Sequence, residues 1–251
     1  MFITILVCKL PCSLLSQNHH LWYFCRVLYD FHTHTFHSDG ILSPIELIRR
    51  AVVKGYSALA ITDHVALGSL ARVIKEVSDD CALARAYWDI LAIPGVELTH
   101  VPPRAISEVA QKAKEAGAWL VIVHGETPIE PVDEGTNLAA VQSPWVDILA
   151  HPGLITFEQA TLAAENDVFI ELTTRRGHSS TNAHIVHVCR QANSKLLLNS
   201  DAHDENDLLT TTLCRTVLRR AGLSNQEHHH VLKDNPSLLI QKVRKLSAYA
   251  D

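Results

Sequence analysis

Seven apolar segments that alternate with helical segments constrain the fold of this chain most strongly. They lie at residues 27–29, 58–61, 90–98, 119–123, 146–150, 168–172 and 195–198. A strand that is apolar throughout is buried on both faces, and helices between such strands indicate a parallel sheet. No Gly-x-Gly-x-x-Gly turn follows the first segment, so the pattern favours a closed or nearly closed α/β barrel over a dinucleotide-binding fold.

Six of these seven segments end in histidine, aspartate or glutamate, and a further aspartate follows the first segment in a turn. The side chains concerned are His32, His34, Asp39, His64, Glu97, His124, His151, Asp201 and His203. The carboxyl ends of the strands of a parallel barrel meet at one mouth, where the active sites of such barrels lie. We therefore expect these side chains to converge on one site.

Imidazole and carboxylate groups at such a mouth point to a metal centre, because both are ligands of zinc, manganese and iron. In His32-x-His34 the two imidazoles point to the same side of an extended segment. A mononuclear zinc site needs three or four ligands, so this set is too large for one ion and about right for three. Any one of these residues could also be a core or capping residue, but their repetition at successive strand ends favours the metal centre.

Short motifs around these residues resemble those of a known family. In chain order they are Asp30-x-His32-x-His34, Ser38-Asp39-Gly40, Thr62-Asp63-His64, Gly95-Val96-Glu97, His124-Gly125, Ala150-His151-Pro152 and Ser200-Asp201-Ala202-His203. Together they look like the ordered motifs of the PHP family, which is named for polymerase-associated and histidinol-phosphatase domains. The resemblance runs from about residue 28 to about residue 205, and no ligand position departs from the pattern.

The resemblance implies a distorted (β/α)7 TIM-like barrel with a trinuclear zinc, manganese or iron site at the carboxyl ends of its strands. Carried over by motif, one ion is held by His32, His34, Glu97 and Asp201. Glu97 then bridges to a second ion held by His124 and His151, and the third ion is held by Asp39, His64 and His203. Members of the family typically hydrolyse phosphomonoesters or phosphodiesters, so the resemblance implies a phosphoesterase.

Residues just past the strands are candidates for substrate contacts. We assign Arg175 and Arg176 to phosphate binding, because arginine grips phosphate with two parallel hydrogen bonds, and His178 to the general acid. Catalytic roles are thus predicted for Glu97, Asp201, Arg176 and His178. The loop at residues 126–137 is predicted to form part of the rim, Asp63 to orient an imidazole or cap a helix, and His37 is an alternative to Asp39 as a ligand.

Composition limits the partners and the domain organisation. The net charge of −5 comes without a cluster of Lys and Arg, so no obligatory nucleic-acid partner is indicated. Six scattered cysteines without a Cys-x-x-Cys pair are typical of a reducing compartment, and no stretch is long enough to span a bilayer. We expect a cytoplasmic protein with a leader at residues 1–26 and a single barrel domain with C-terminal helices at residues 27–251.

The sequence therefore predicts a metal-dependent phosphoesterase that acts on a small phosphorylated metabolite, histidinol-phosphate-like or a nucleotide phosphoester. Two alternatives stay open at this level. One is a non-catalytic, metal-stabilised barrel that binds a partner, against which the intact ligand set argues. The other is a metal-dependent amidohydrolase, which would usually place a bridging lysine where this chain has Glu97. The imidazole and carboxylate shell, which lacks thiols, suits zinc, manganese and iron alike.

Overall fold

The computed structural model describes residues 28–247, and the side chains of residues 28–244. The predicted leader at residues 1–26 lies outside the described residues. Strands and helices alternate along most of the described part of the chain. The strands are β1 Leu28–Asp30, β2 Tyr56–Ile61, β3 His64–Val65, β4 Leu91–Leu98, β5 Leu120–His124, β6 Ile148–Ala150, β7 Phe169–Thr173 and β8 Leu196–Asn199.

The helices follow the strands as the sequence predicts. They are α1 Pro44–Val53, α2 Leu70–Tyr87, α3 Ile106–Glu115, α4 Thr136–Gln142, α5 Phe157–Glu165, α6 Asn182–Ala192, α7 Thr211–Arg220, α8 Asn225–His229 and α9 Asn235–Ser247. Single turns of 3-10 helix lie at Pro103–Ala105 and His178–Thr181, and a π-helical turn at His230–Asp234 joins α8 to α9. At the start of α5, Thr156 and Gln159 form a reciprocal capping box, which satisfies two backbone N–H groups that the helix itself leaves unpaired.

All paired strands are parallel, in the order β1-β2-β4-β5-β6-β7-β8. The short strand β3 pairs with β4 and follows β2 after a break at Thr62 and Asp63, so the wall has seven positions but eight strand segments. The ligand segments themselves bring β1 and β8 together: the His34 N–H donates to the Ala202 carbonyl at 2.8 Å, and the Asp201 N–H to the His32 carbonyl at 3.0 Å. The expected distorted (β/α)7 TIM-like barrel is confirmed.

Alternation along each strand separates the core into two layers. Ala58 and Ala60 of β2, and Leu120 and Ile122 of β5, belong to the inner cluster, whereas their neighbours along each strand pack outwards against the helices. Leu239 and Val243 of α9 join the inner cluster. The C-terminal helix therefore closes the amino ends of the strands, and the opposite end of the barrel is left for the site.

Between residues 28 and 247, no helix is both long and apolar enough to cross a bilayer.

Candidate metal centre

The strand-end side chains that the sequence singles out lie together at the carboxyl ends of the strands. Glu97 occupies their centre and is fully buried. Its Oε2 lies 2.8 Å from His64 Nδ1 and 3.3 Å from His32 Nε2, and its Oε1 lies 3.3 Å from His124 Nδ1 and 3.6 Å from His151 Nε2. The parallel register of β3 and β4 places His64 directly beside Glu97. A fifth imidazole nitrogen, His34 Nε2, lies 3.5 Å from Oε2. One carboxylate thus faces five imidazoles that come from four different segments.

Asp201 approaches the same imidazoles from the end of β8. Its Oδ1 lies 3.1 Å from His34 Nε2 and 3.7 Å from His32 Nε2, and the two imidazole nitrogens are 3.0 Å apart. Two imidazoles from one extended segment therefore converge on one carboxylate, as the His-x-His spacing predicts.

Asp39 and His203 form the outer edge of the cluster. The Asp39 Oδ2 lies 2.9 Å from His203 Nε2, and its Oδ1 lies 3.6 Å from His64 Nε2 and 3.8 Å from His34 Nδ1. The Asp39 side chain is half exposed, with 53% of its surface open to solvent, whereas His34 is buried. This part of the cluster therefore faces the mouth of the barrel.

Four overlapping groups within the cluster could each hold a metal ion. They are His34, Asp39, His64 and His203; His32, Glu97 and His151; His32, His34 and Asp201; and His64, Glu97 and His124. The ligand atoms in each group lie within 4.8 Å of one another. Because Glu97 belongs to two groups and His32 to two, this donor set suits a multinuclear centre with shared ligands.

The buried polar atoms of the cluster test this fit. Both carboxylate oxygens of Glu97, and Nδ1 of His34, His124 and His151, are buried without a hydrogen bond. Native interiors leave few such atoms, because an unpaired buried polar atom costs about 1–3 kcal/mol. Glu97 lies close to imidazole nitrogens but is not aligned to bond them, as expected of groups arranged around cations. The residues present fit divalent metal ions.

Electrostatics agree with this interpretation. Burial opposes the ionisation of Glu97, but the His32 imidazole, and after it His64, hold the pKa of Glu97 well below its usual range. Burial likewise opposes the ionisation of Asp201, but the charge of His32 and the hydrogen bond from His34 have the larger effect and lower the pKa of Asp201. Burial would lower the pKa of His32, yet Glu171, Glu97 and Asp201 raise it well above its usual value. Buried carboxylates kept ionised in this way create a negative potential that attracts cations.

Glu171, in the middle of β7, is a member of the site that the sequence analysis missed. Its Oε2 lies 2.8 Å from His32 Nδ1 and accepts a hydrogen bond from Asn199 Nδ2 at 2.9 Å. A carboxylate on one imidazole nitrogen directs the other nitrogen towards a metal and strengthens it as a ligand. The alternation of side chains along β7 could have identified Glu171. Phe169 points into the barrel, and Glu171, two residues later, therefore also points inwards.

Asp63 holds the segment after β1 in place. It accepts hydrogen bonds from the backbone N–H of Thr35, from the Thr35 hydroxyl and from the Ser38 hydroxyl, each at 2.7 Å. The expectation that Asp63 orients an imidazole or caps a helix is therefore replaced by this role, since its carboxylate faces a loop. His37 is not an alternative to Asp39, because its Nδ1 lies 3.3 Å from Glu76 of α2.

The backbone at Gly125 passes close to the end of β6, and this brings the candidate ligands His124 and His151 together. A Cβ at this position would lie 2.3 Å from the Ala150 carbonyl oxygen, so only glycine allows the loop after His124 to pass the end of β6.

His151 and Asp201 adopt positive φ angles of 24° and 55°. Such backbone is uncommon for residues other than glycine and is typical of functional sites, where the surrounding structure holds it.

Arg175 and Arg176 are placed differently, although both follow β7. The Arg175 Nε lies 3.7 Å from Asp201 Oδ2, and its Nη1 lies 3.3 Å from the Asp201 carbonyl oxygen and 3.7 Å from Asp207 Oδ2. The Arg176 side chain is exposed and has no hydrogen bond or ion pair within the described residues. Only Arg175 therefore reaches the cluster in this structure.

His178 lies against the cluster on the 3-10 turn after β7. Its ring packs on His151 with a centroid separation of 4.3 Å, and its Nδ1 lies 2.7 Å from the Thr127 hydroxyl. Burial lowers the pKa of His178, which favours the neutral ring near neutral pH. If Nδ1 accepts the Thr127 hydroxyl hydrogen, the proton sits on Nε2, which faces Glu130 at 3.7 Å.

A cleft of about 640 Å³ opens beside the cluster, and the loop after β5 forms part of its wall. Asp39, His64 and His124 of the cluster line this cleft, together with Ile129 and Glu130 of the loop. The predicted contribution of the loop at residues 126–137 to the rim agrees with this position. Pockets of a few hundred Å³ are typical of small-molecule sites.

Comparisons with known proteins agree with this architecture. The model of the PHP domain matches residues 30–203. The chain belongs to the PHP domain family. An uncharacterized protein of Methanocaldococcus jannaschii is 45% identical over 216 residues, which cover 86% of this PHP chain and 99% of that protein. A protein of Acetivibrio thermocellus named a probable phosphatase is 25% identical over 193 residues, covering 71% and 80% of the two chains.

A solved structure shows the same fold at low sequence identity. The histidinol phosphate phosphatase of Lactococcus lactis, solved with zinc, L-histidinol and phosphate, matches with a TM-score of 0.55 and 17% identity. The match covers 79% of this PHP chain and 95% of that protein. The resemblance found in the sequence is thereby confirmed at the level of family and fold, whereas the roles of individual residues stay predictions.

Proposed function

We propose that this PHP domain is a metal-dependent phosphoesterase that hydrolyses a small phosphorylated metabolite, histidinol-phosphate-like or a nucleotide phosphoester. The observation that carries the proposal is Glu97, a fully buried carboxylate whose oxygens face five imidazoles without a hydrogen bond. Its relatives include proteins named probable phosphatases. Cytoplasmic location and the absence of an obligatory nucleic-acid partner remain part of the proposal.

The nine strand-end residues would hold about three divalent ions, with zinc, manganese and iron all suited to an imidazole and carboxylate shell that lacks thiolates. Bound divalent ions lower the pKa of water towards neutrality and offset charge on phosphoryl oxygens. In the proposed division, Glu97 would help to hold two of the ions, and its central position supports this role. Such a site needs no serine or cysteine nucleophile.

The residues at the rim would bind and orient the phosphoryl group. Arg175 already lies beside Asp201 and could turn its guanidinium from that carboxylate to a phosphoryl oxygen. Neutral His178 could donate its Nε2–H to the phosphoryl or leaving oxygen. A general-acid role for His178 requires a charged ring, against which its lowered pKa weighs. Arg176 would contact the substrate only if the loop after β7 rearranged.

The two alternative functions predict different outcomes. A non-catalytic barrel would not need a cleft of substrate size that opens onto candidate ligands. An amidohydrolase would usually need a bridging lysine, and Glu97 fills the central position here. Amide and phosphoester substrates, assayed side by side, separate the two kinds of hydrolase.

The deciding experiment combines metal content with turnover. We expect protein purified without chelator to carry about three divalent ions per chain and to hydrolyse p-nitrophenyl phosphate with added manganese or zinc. Glu97→Ala should lose both metal and turnover, whereas Glu165→Ala, an exposed carboxylate at the end of α5, should lose neither. Full phosphoesterase activity in the Glu97 variant, or a chain that neither retains nor rebinds metal, would overturn the proposal.

A further inference from the structure

Glu130 introduces a negative charge into the cleft beside the candidate metal centre. The cleft is lined by Asp39, His64 and His124, which belong to the cluster, and by Glu130, which comes from the loop after β5. Its carboxylate is 56% exposed, so it is open to a ligand in the cleft. A phosphoryl group bound at the cluster would direct the rest of its substrate past this carboxylate.

The loop that carries Glu130 is fixed at several points. The Thr127 hydroxyl lies 2.7 Å from His178 Nδ1, and the Glu126 carboxylate accepts hydrogen bonds from the backbone N–H groups of Gly135 at 3.0 Å and Asn137 at 2.9 Å. The Ile129 side chain packs so closely on Gly177 that a Cβ there would lie 2.4 Å from Ile129 Cδ1. Glu130 is therefore held over the cleft by contacts on both sides of it.

No lysine or arginine neutralises Glu130 among residues 28–244. Its carboxylate lies 3.7 Å from His178 Nε2 and 3.9 Å from His124 Nε2. Both nitrogens belong to imidazole rings, which are not permanent cations as lysine and arginine are. The proposed function gives His124 to a metal ion, and a histidine ligand is neutral. The charge of Glu130 thus remains available to a substrate.

We propose that Glu130 is a specificity-determining residue, which favours phosphoesters whose alcohol part carries an ammonium group and disfavours those that carry a second anionic group there. The inference rests on the proposed function and goes beyond it, since it names the charge of the substrate portion that leaves with the ester oxygen. A carboxylate near a bound cation is attractive and near a bound anion repulsive, and solvent reduces both effects at an exposed position.

The test uses two aryl phosphates that differ in the charge of one substituent, 4-(aminomethyl)phenyl phosphate and 4-carboxyphenyl phosphate. The ratio of their kcat/KM values is compared between variants, so that the different reactivities of the two leaving groups cancel. Glu130→Gln should lower the cation-to-anion ratio by about tenfold, and Glu130→Lys should lower it further. The control is Glu134→Gln, the same chemical change at an exposed position of the same loop outside the cleft, which should leave the ratio unchanged.

Binding provides a second readout that does not depend on turnover. The Kd values of 4-(aminomethyl)benzylphosphonate and 4-carboxybenzylphosphonate, measured by calorimetry on the metal-loaded protein, should shift in the same directions as the kcat/KM values. If the unaltered protein cleaves neither aryl phosphate, the proposed function fails, and the phosphonate ratio still decides the role of Glu130. An unchanged ratio in both Glu130 variants overturns the inference. Equal losses for both charges together with lower metal content would also overturn it, because Glu130 would then belong to the metal site.

Discussion

Replacing Glu171 by glutamine tests the least exposed part of the proposed site. The substitution keeps the size of the side chain and removes its charge from His32 Nδ1, which lies 2.8 Å away. Both side chains are fully buried, so water cannot compensate for the lost charge. Glu171 also accepts the hydrogen bond from Asn199 Nδ2, which the glutamine oxygen can still accept.

The magnitude follows from this one contact. A hydrogen bond to a charged group contributes about 1.5–3 kcal/mol, and changing a partner behind a metal-binding histidine typically lowers metal affinity about 10- to 100-fold. We expect Glu171→Gln to weaken metal binding by about tenfold, which is about 1.4 kcal/mol. Glu171→Ala also leaves the Asn199 Nδ2–H group without its acceptor and should approach the 100-fold end of this range.

Stability of the metal-free protein should change in the opposite direction. Burial raises the pKa of Glu171, so its ionised form is disfavoured in the folded chain more than in the unfolded chain. A raised carboxyl pKa lowers the free energy of unfolding at pH values above the unfolded pKa of about 4.3. Glu171→Gln removes this cost, and thermal unfolding with excess chelator at pH 7 should therefore show a Tm that is unchanged or higher.

Metal affinity would be measured by competition with a chromogenic chelator, using zinc and manganese in parallel. Glu165→Gln makes the same chemical change at the exposed end of α5, close in sequence to β7, and serves as the control. If the glutamine and alanine variants of Glu171 both bind metal within about threefold of the unaltered chain, the hydrogen bond to His32 does not support the centre. A lower Tm of the metal-free glutamine variant would refute the electrostatic part of the reasoning.

Four further substitutions probe other parts of the molecule. Arg175→Ala should raise KM for phosphoesters about tenfold or more with a smaller change in kcat, whereas Arg176→Ala should change KM less. A larger effect of Arg176→Ala on KM in steady-state kinetics would contradict the placement of the two arginines in the structure. Gly125→Ala should lower the free energy of unfolding by about 1–3 kcal/mol in denaturant titrations and reduce metal content, because the added Cβ meets the end of β6. Asp147→Ala should lower the free energy of unfolding by about 3–5 kcal/mol, since its buried carboxylate lies 2.5 Å from Lys114 Nζ. Metal binding at the opposite end of the barrel should persist. A decrease below about 1 kcal/mol would show that this ion pair is not needed for stability.

Several features of the fold and site could be predicted from local sequence. Seven apolar segments with helices between them require a parallel arrangement in which every strand is buried, and strand ends then coincide at one mouth. The histidines and carboxylates that end those segments could be identified because the chemistry of the residue and its position at a strand end are both local properties. The capping box of Thr156 and Gln159 is local for the same reason.

Other features depend on contacts between segments far apart in sequence. Glu171 resembles an isolated polar residue in an apolar strand until β7 and β1 are brought together around His32, 139 residues away. Asp63 stands next to a candidate ligand, and only the folded loop shows that it binds Thr35 and Ser38 instead. Arg175 and Arg176 are equivalent in sequence, but the turn after β7 directs one towards Asp201 and the other into solvent.

The sequence by itself determined the barrel class, the family and the residues that gather at the carboxyl ends of the strands. These follow from hydrophobic periodicity, strand-end chemistry and short motifs, all of which a linear pattern carries. The tertiary structure alone decided which of the neighbouring polar residues meet, that Glu171 supports His32, and that Glu130 faces the cleft. Distances between side chains on different strands depend on how the barrel closes, and no local pattern in the chain specifies that closure.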